Sequence, residues 1–190
     1  VRASAHGNLR IMIPMISSVT ELRAVRELLD LAEREVDAAG HARAPSIPLG
    51  MMVEVPAAAV LAREFAADAA FFSIGTNDLI QYSLAVDRTN QELAHLASPY
   101  HPAILRLIEL VVEAGRERDR PVSVCGAMAS DPLAASLLLG LGIHELSMEG
   151  SSIPAVKAAI GRIRCDEAQE VARRARACVT AREVEATVRE

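Results

Sequence analysis

Short apolar runs of strand length recur at residues 9–15, 49–54, 71–75, 122–126 and 145–148, and a longer segment with helical spacing follows each of them. Repeated βα units of this kind predict a parallel sheet with helices packed on it. The runs are almost continuously apolar, as strands buried on both faces are. After the first run, Ser18 and Glu21 stand at capping-box spacing, and Leu22, Val25, Leu29, Ala32 and Val36 fall on one helical face before Gly40 ends the segment. The loop 41–48 is rich in Pro and small residues. Further helices are predicted over 57–67, 102–118, 132–141 and 154–164, three of them with Pro in the first turn, where its missing amide leaves nothing unsatisfied.

The pattern changes after Arg164 to a charged, Ala-rich helical stretch over 166–190 with no strand behind it. The predicted organisation is one domain, with a βα body over 1–164 and a helical extension of the same domain over 165–190. Five βα units are fewer than a closed eight-stranded barrel needs, whereas an open doubly wound sheet accommodates five. Spacing alone leaves both architectures open.

Composition narrows the class. An apolar content of 51% with 3% aromatic residues over 190 residues suits helices on a sheet around a sizeable core, not an aromatic binding surface. The net charge of −5 is spread without a basic stripe, which argues against nucleic acid as a partner. No apolar run approaches the ~18–20 residues of a membrane span, and the start Val1-Arg2-Ala3-Ser4 does not read as a signal peptide, so no membrane insertion and a cytoplasmic location are expected. Cys125, Cys165 and Cys178 form no close pair and read as reduced thiols. The first residue is Val, and the expectation is a piece of a longer chain.

Candidate chemistry sits where apolar runs end in polar residues. Glu54 closes one run just before Pro56; a carboxylate buried there needs a partner or a metal, while an exposed strand-end Glu needs neither. Asn77 and Asp78 follow Gly75 at the end of the next run, where Asp78 also suits a helix cap. Two carboxylates at the carboxyl ends of consecutive parallel strands can converge on one hard cation such as Mg2+, leaving positions for water and anionic oxygens. Arg88, in the loop after the following short helix, offers a forked donor to phosphate, or a surface pair with Asp87. Cys125, followed by Gly126, ends a further run; a lone buried Cys is otherwise a small core residue. All four strand-end residues, Glu54, Asn77, Asp78 and Cys125, fall on the edge where parallel α/β folds bind ligands. The five histidines stand in no metal or triad spacing, and none is assigned a catalytic role.

Taken jointly, the stretches Leu9-Arg10-Ile11-Met12-Ile13-Pro14-Met15, Met52-Val53-Glu54-Val55-Pro56-Ala57-Ala58, Phe71-Phe72-Ser73-Ile74-Gly75-Thr76-Asn77-Asp78-Leu79, Leu84-Ala85-Val86-Asp87-Arg88 and Cys125-Gly126 closely resemble Enzyme I, the phosphoenolpyruvate-protein phosphotransferase family of the bacterial sugar phosphotransferase system. The resemblance covers nearly the whole chain. It implies a (β/α)8 barrel of the TIM family, of which these residues are about the last five βα units plus a helical tail. It further implies that Glu54 and Asp78 bind Mg2+, that Asn77, Asp78 and Arg88 contact phosphoenolpyruvate, and that Cys125 protonates enolpyruvate to pyruvate. Other phosphate-binding arginines and the phosphorylated histidine of that family lie on regions not represented here, so the chain alone is expected to be inactive. Onward transfer to a histidine phosphocarrier protein through the N-terminal domain and a homodimer of the full-length enzyme are implied as well. Ala127 departs from the acidic residue that commonly follows Cys-Gly in the family. Rival readings are a pyruvate phosphate dikinase or phosphoenolpyruvate synthase barrel, a metal-dependent lyase or aldolase of the wider superfamily, and a non-catalytic phosphoenolpyruvate sensor.

Overall fold

The computed structural model describes all residues except Arg88, Thr89 and Gln91. Five strands, β1 (Ile11–Ile13), β2 (Leu49–Val53), β3 (Phe72–Gly75), β4 (Val122–Cys125) and β5 (Glu145–Ser147), pair in chain order into one sheet, every neighbour parallel. All five lie within the apolar runs.

Ser18 caps α1 (Val19–Ala38) with the capping box that its spacing to Glu21 predicts. The Glu21 carboxylate accepts from the Ser17 and Ser18 amides, which holds its pKa below the ordinary value. Leu22 and Leu29 are buried, and Gly40 follows in the left-handed region. The predicted helix 57–67 is two pieces, α2 (Pro56–Val60) and α3 (Ala62–Phe65), kinked at Leu61, with hydrogen bonds from Leu61 N–H to Ala57 O and from Phe65 N–H to Leu61 O running through the kink. Next come α4 (Thr76–Leu84), directly off β3, α5 (Pro102–Glu117), a single turn α6 (Ala127–Ser130) directly off β4, α7 (Pro132–Leu141) and α8 (Ile153–Ile160). The tail is two helices, α9 (Cys165–Ala177) and α10 (Ala181–Arg189), the second opened by a capping box between Thr180 and Glu183.

Burial on both faces holds for β2 and β3, whose side chains are buried almost throughout, and only in part for β4, where Val124 alone is buried. It fails for β1 and β5: Met12 is 39% exposed, and Glu145 and Ser147 are exposed. They are the edge strands of the open sheet, and an edge strand is covered from one flank only.

The core joins Met51, Val53, Ile74 and Val124 of the sheet to Leu79 of α4, Ile104 and Ile108 of α5 and Leu137 and Leu138 of α7. The tail packs on α7 through small residues, Ala168, Ala172 and Ala175 being buried. At Gly140 the approach is so close that a Cβ would lie 2.0 Å from the Ala168 carbonyl oxygen, so only Gly permits this packing. Arg176 of α9 adds an ion pair to Glu109 of α5 at 2.7 Å. Among the described residues no helix is long and apolar enough to cross a membrane.

Candidate functional site

Parallel pairing brings the carboxyl ends of the strands into one row. Val53 pairs with Ile74, Gly75 with Cys125, and Cys125 with Ser147, so the residues that leave these strands emerge side by side. Glu54 leaves β2, Thr76, Asn77 and Asp78 form the first turn of α4, and Cys125 closes β4.

Glu54 is 4% exposed. Its Oε1 accepts a hydrogen bond of 2.7 Å from the backbone N–H of Met15, a residue held at a left-handed φ of 58°. Burial pushes the Glu54 carboxyl above its ordinary pKa; the Met15 amide opposes that, and the neighbouring Asp78 carboxylate adds to it by charge and by hydrogen bonding. Asp78 in turn accepts from Gln81 Nε2 at 3.1 Å. Among the described residues neither acid forms an ion pair with a basic side chain. The fold therefore brings two carboxylates together, one of them buried, an arrangement that suits a cation or a shared proton. No cluster of three or more His, Cys, Asp or Glu that could hold a metal ion occurs among the described residues.

Asn77 turns toward the next strand, its Oδ1 accepting from the Ala127 N–H at 3.0 Å. Thr76, fully buried, donates its hydroxyl to the Cys125 carbonyl at 2.9 Å, and Ser73 donates to Cys125 Sγ at 3.8 Å. Gly126 has φ 97° and ψ −168°, and a Cβ there would sit 2.9 Å from both Asn77 Oδ1 and Thr76 Oγ1. Asn77 and Cys125 face one cavity of about 480 Å3, whose other walls include Ser130, Ser147 and Glu149. Glu54 and Asp78 lie off this cavity, and the first turn of α4 links the two groups. A larger cavity of about 670 Å3 lies among the tail helices, away from the strand ends.

Of the residues singled out in the sequence, Glu54 and Asp78 come together, Asn77 and Cys125 come together, and Arg88 lies outside the described residues. Sequence reasoning missed Met15, Ser73, Thr76 and Gln81. Ser73 and Thr76 carry a readable signal, polar residues within an apolar strand and at its end. Met15 acts through its backbone and carries none.

Fold and site together define a parallel α/β protein of the barrel class with paired carboxylates at the ligand-binding edge. The chain belongs to the family described as PEP-utilising enzyme, PEP-binding domain, whose model matches residues 1–165. It is 47% identical over 184 residues to a phosphoenolpyruvate-protein phosphotransferase of Listeria monocytogenes, covering 97% of this chain and 32% of that protein. The protein of the same name in Bacillus subtilis is 45% identical over 190 residues, covering 100% of this chain and 33% of the relative. A multiphosphoryl transfer protein of Xanthomonas campestris is 50% identical over 186 residues, covering 97% of this chain and 22% of the relative. The chain thus spans about a third or less of the length of these relatives. Among solved structures, a citrate lyase from Burkholderia xenovorans superposes with a TM-score of 0.58 at 19% identity, over 83% of this chain and 50% of that one. At that identity the likeness concerns the fold alone, and it agrees with five units of a (β/α)8 barrel in an open arc.

Proposed function

We propose that the chain supplies part of the phosphoenolpyruvate site of a phosphoenolpyruvate-protein phosphotransferase, which moves the phosphoryl group to an enzyme histidine and onward to a histidine phosphocarrier protein in sugar uptake. The observation that carries the reading is the convergence of Glu54 and Asp78, without a basic partner among the described residues, beside the row formed by Asn77 and Cys125. Relatives named phosphoenolpyruvate-protein phosphotransferase at 45% and 47% identity, and a multiphosphoryl transfer protein at 50%, support it over the dikinase, lyase and sensor readings.

Glu54 and Asp78 fit a hard divalent cation, being close, acidic and, for Glu54, buried. Bound there, Mg2+ would supply charge neutralisation at phosphoryl oxygens. Asn77 and Arg88 then orient phosphoenolpyruvate, a task on which phosphoryl transfer chiefly depends. Transfer breaks the bond between phosphorus and the enol oxygen and forms one to the histidine nitrogen. Cys125 gives its Sγ proton to the methylene carbon of the remaining enolate, producing pyruvate, and the Ser73 hydroxyl is placed to donate to the sulfur that has lost its proton. A cytoplasmic location and a homodimer of the intact protein belong to the same reading.

The test is phosphoryl transfer by the intact protein from labelled phosphoenolpyruvate, with Mg2+, to a purified histidine phosphocarrier protein. Label in phosphohistidine on both proteins with matching pyruvate release is expected. Transfer that requires a nucleotide, or none at all, would overturn the proposal.

A further inference from the structure

Behind the site, the buried Tyr100 and the half-buried Asp131 are tied together. Tyr100, 6% exposed and two residues before the first residue of α5, donates its phenol to Asp131 Oδ2. Burial and this acceptor keep the phenol protonated, its pKa pushed above the ordinary value. The other oxygen of Asp131 accepts from the Leu133 N–H at 2.9 Å and caps α7. Asp131 is also the C-cap of α6, directly after Ser130: its N–H reaches the Met128 carbonyl, while Ser130 Oγ reaches back to the Gly126 carbonyl. At its other end the same turn presents the Ala127 N–H to Asn77 Oδ1. Glu185 and Arg189 of α10, themselves paired at 2.6 Å, are the charged groups that act on the phenol from the tail.

A helix cap needs only one oxygen of Asp131, and a short polar residue such as Ser caps as well. The second oxygen has a different partner, anchored at the start of a 16-residue helix whose core face is buried. We infer that Tyr100 and Asp131 are a positioning pair for the site: the phenol pins the carboxylate that ends the α6 turn, and the pinned turn holds the Ala127 amide against Asn77, setting the direction of the Asn77 side chain. The functional part rests on the reading that Asn77 contacts phosphoenolpyruvate.

Tyr100→Phe removes only the hydroxyl, and Asp131→Ser keeps a cap for α7 but is too short to reach the phenol. In the intact protein, both variants are expected to raise hydrogen exchange at the Ala127 amide by about tenfold, and to raise the KM for phosphoenolpyruvate by roughly 3- to 10-fold with kcat within about twofold, the range for residues coupled through contacts. In an Asn77→Ala background the additional KM effect of Tyr100→Phe should vanish, since the pair acts through that side chain. A purely structural bond would lower stability and move neither readout. Unchanged Ala127 exchange in a folded Tyr100→Phe or Asp131→Ser protein would overturn the inference, whatever Asn77 does in catalysis. An Asn77→Ala protein with wild-type KM would instead count against the substrate role of Asn77.

Discussion

Gly126→Ala is the substitution for which the structure yields the clearest magnitude. The backbone at φ 97° and ψ −168° lies in a region essentially reserved for Gly, and holding Ala there costs about 2 kcal/mol. The new Cβ would also sit 2.9 Å from Asn77 Oδ1 and from Thr76 Oγ1. Those oxygens make the bonds to the Ala127 amide and the Cys125 carbonyl, so displacing them weakens two hydrogen bonds, adding about 1 kcal/mol or more. A loss of roughly 3 kcal/mol corresponds to a fall in melting temperature of about 6–12 °C for a domain of this size. Gly150→Ala is the matched control, because nothing lies within 4 Å of its added Cβ and its φ is not positive; it should change stability by no more than about 0.5 kcal/mol. Thermal unfolding of the intact protein measures both. A Gly126→Ala variant that melts with the Gly150→Ala control would refute the strain and the crowding together.

Burial and Asp78 raise the Glu54 pKa above its ordinary 4.5, so the stability that this group contributes is complete below about 4.5 and is lost as pH rises through the elevated folded-state value. Glu54→Gln keeps an acceptor for the Met15 amide without the charge, and without divalent cation it should unfold at higher urea than wild type at pH 7, the two converging near pH 4; a less stable variant at pH 7 would contradict the assignment. Cys125→Ala should cost only about 1 kcal/mol of stability. It should nevertheless abolish stereospecific ketonisation of bound enolpyruvate while leaving phosphoenolpyruvate binding intact, and wild-type ketonisation would reduce Cys125 to a packing residue.

The sheet was legible because each apolar run was bounded by residues that end strands, Pro56 after Glu54 and Gly75 before Asn77 among them. The Ser18 cap was legible because its partner is local, three residues away. The exposure of β1 and β5 was not, since an apolar run looks the same at an edge as in the middle of a sheet, and only pairing order tells them apart. The kink at Leu61 and the break between α9 and α10 escaped for a similar reason: Ala-rich spacing continues across both. In the site, strand-end positions announced Glu54, Asp78 and Cys125, because a polar residue closing an apolar run is a visible departure from pattern. The amide of Met15 reaches Glu54 across 39 residues of chain through the backbone alone, and no side-chain pattern records it. Asn77 was identified by position, but its oxygen is committed to Ala127, a bond that depends on how β3 and β4 lie in register.

On the proposed reading, Glu54 and Asp78 together hold the cation through which phosphoenolpyruvate binds. Isothermal titration of phosphoenolpyruvate into the intact protein, with and without Mg2+, addresses it directly when repeated on Glu54→Ala and Asp78→Ala variants shown by circular dichroism to be folded. Magnesium-dependent binding in the wild type, weakened by about 100-fold or more in each variant, is the predicted result, because each substitution removes one of the two carboxylates that converge among the described residues. Magnesium-dependent binding at wild-type affinity in either variant would contradict it.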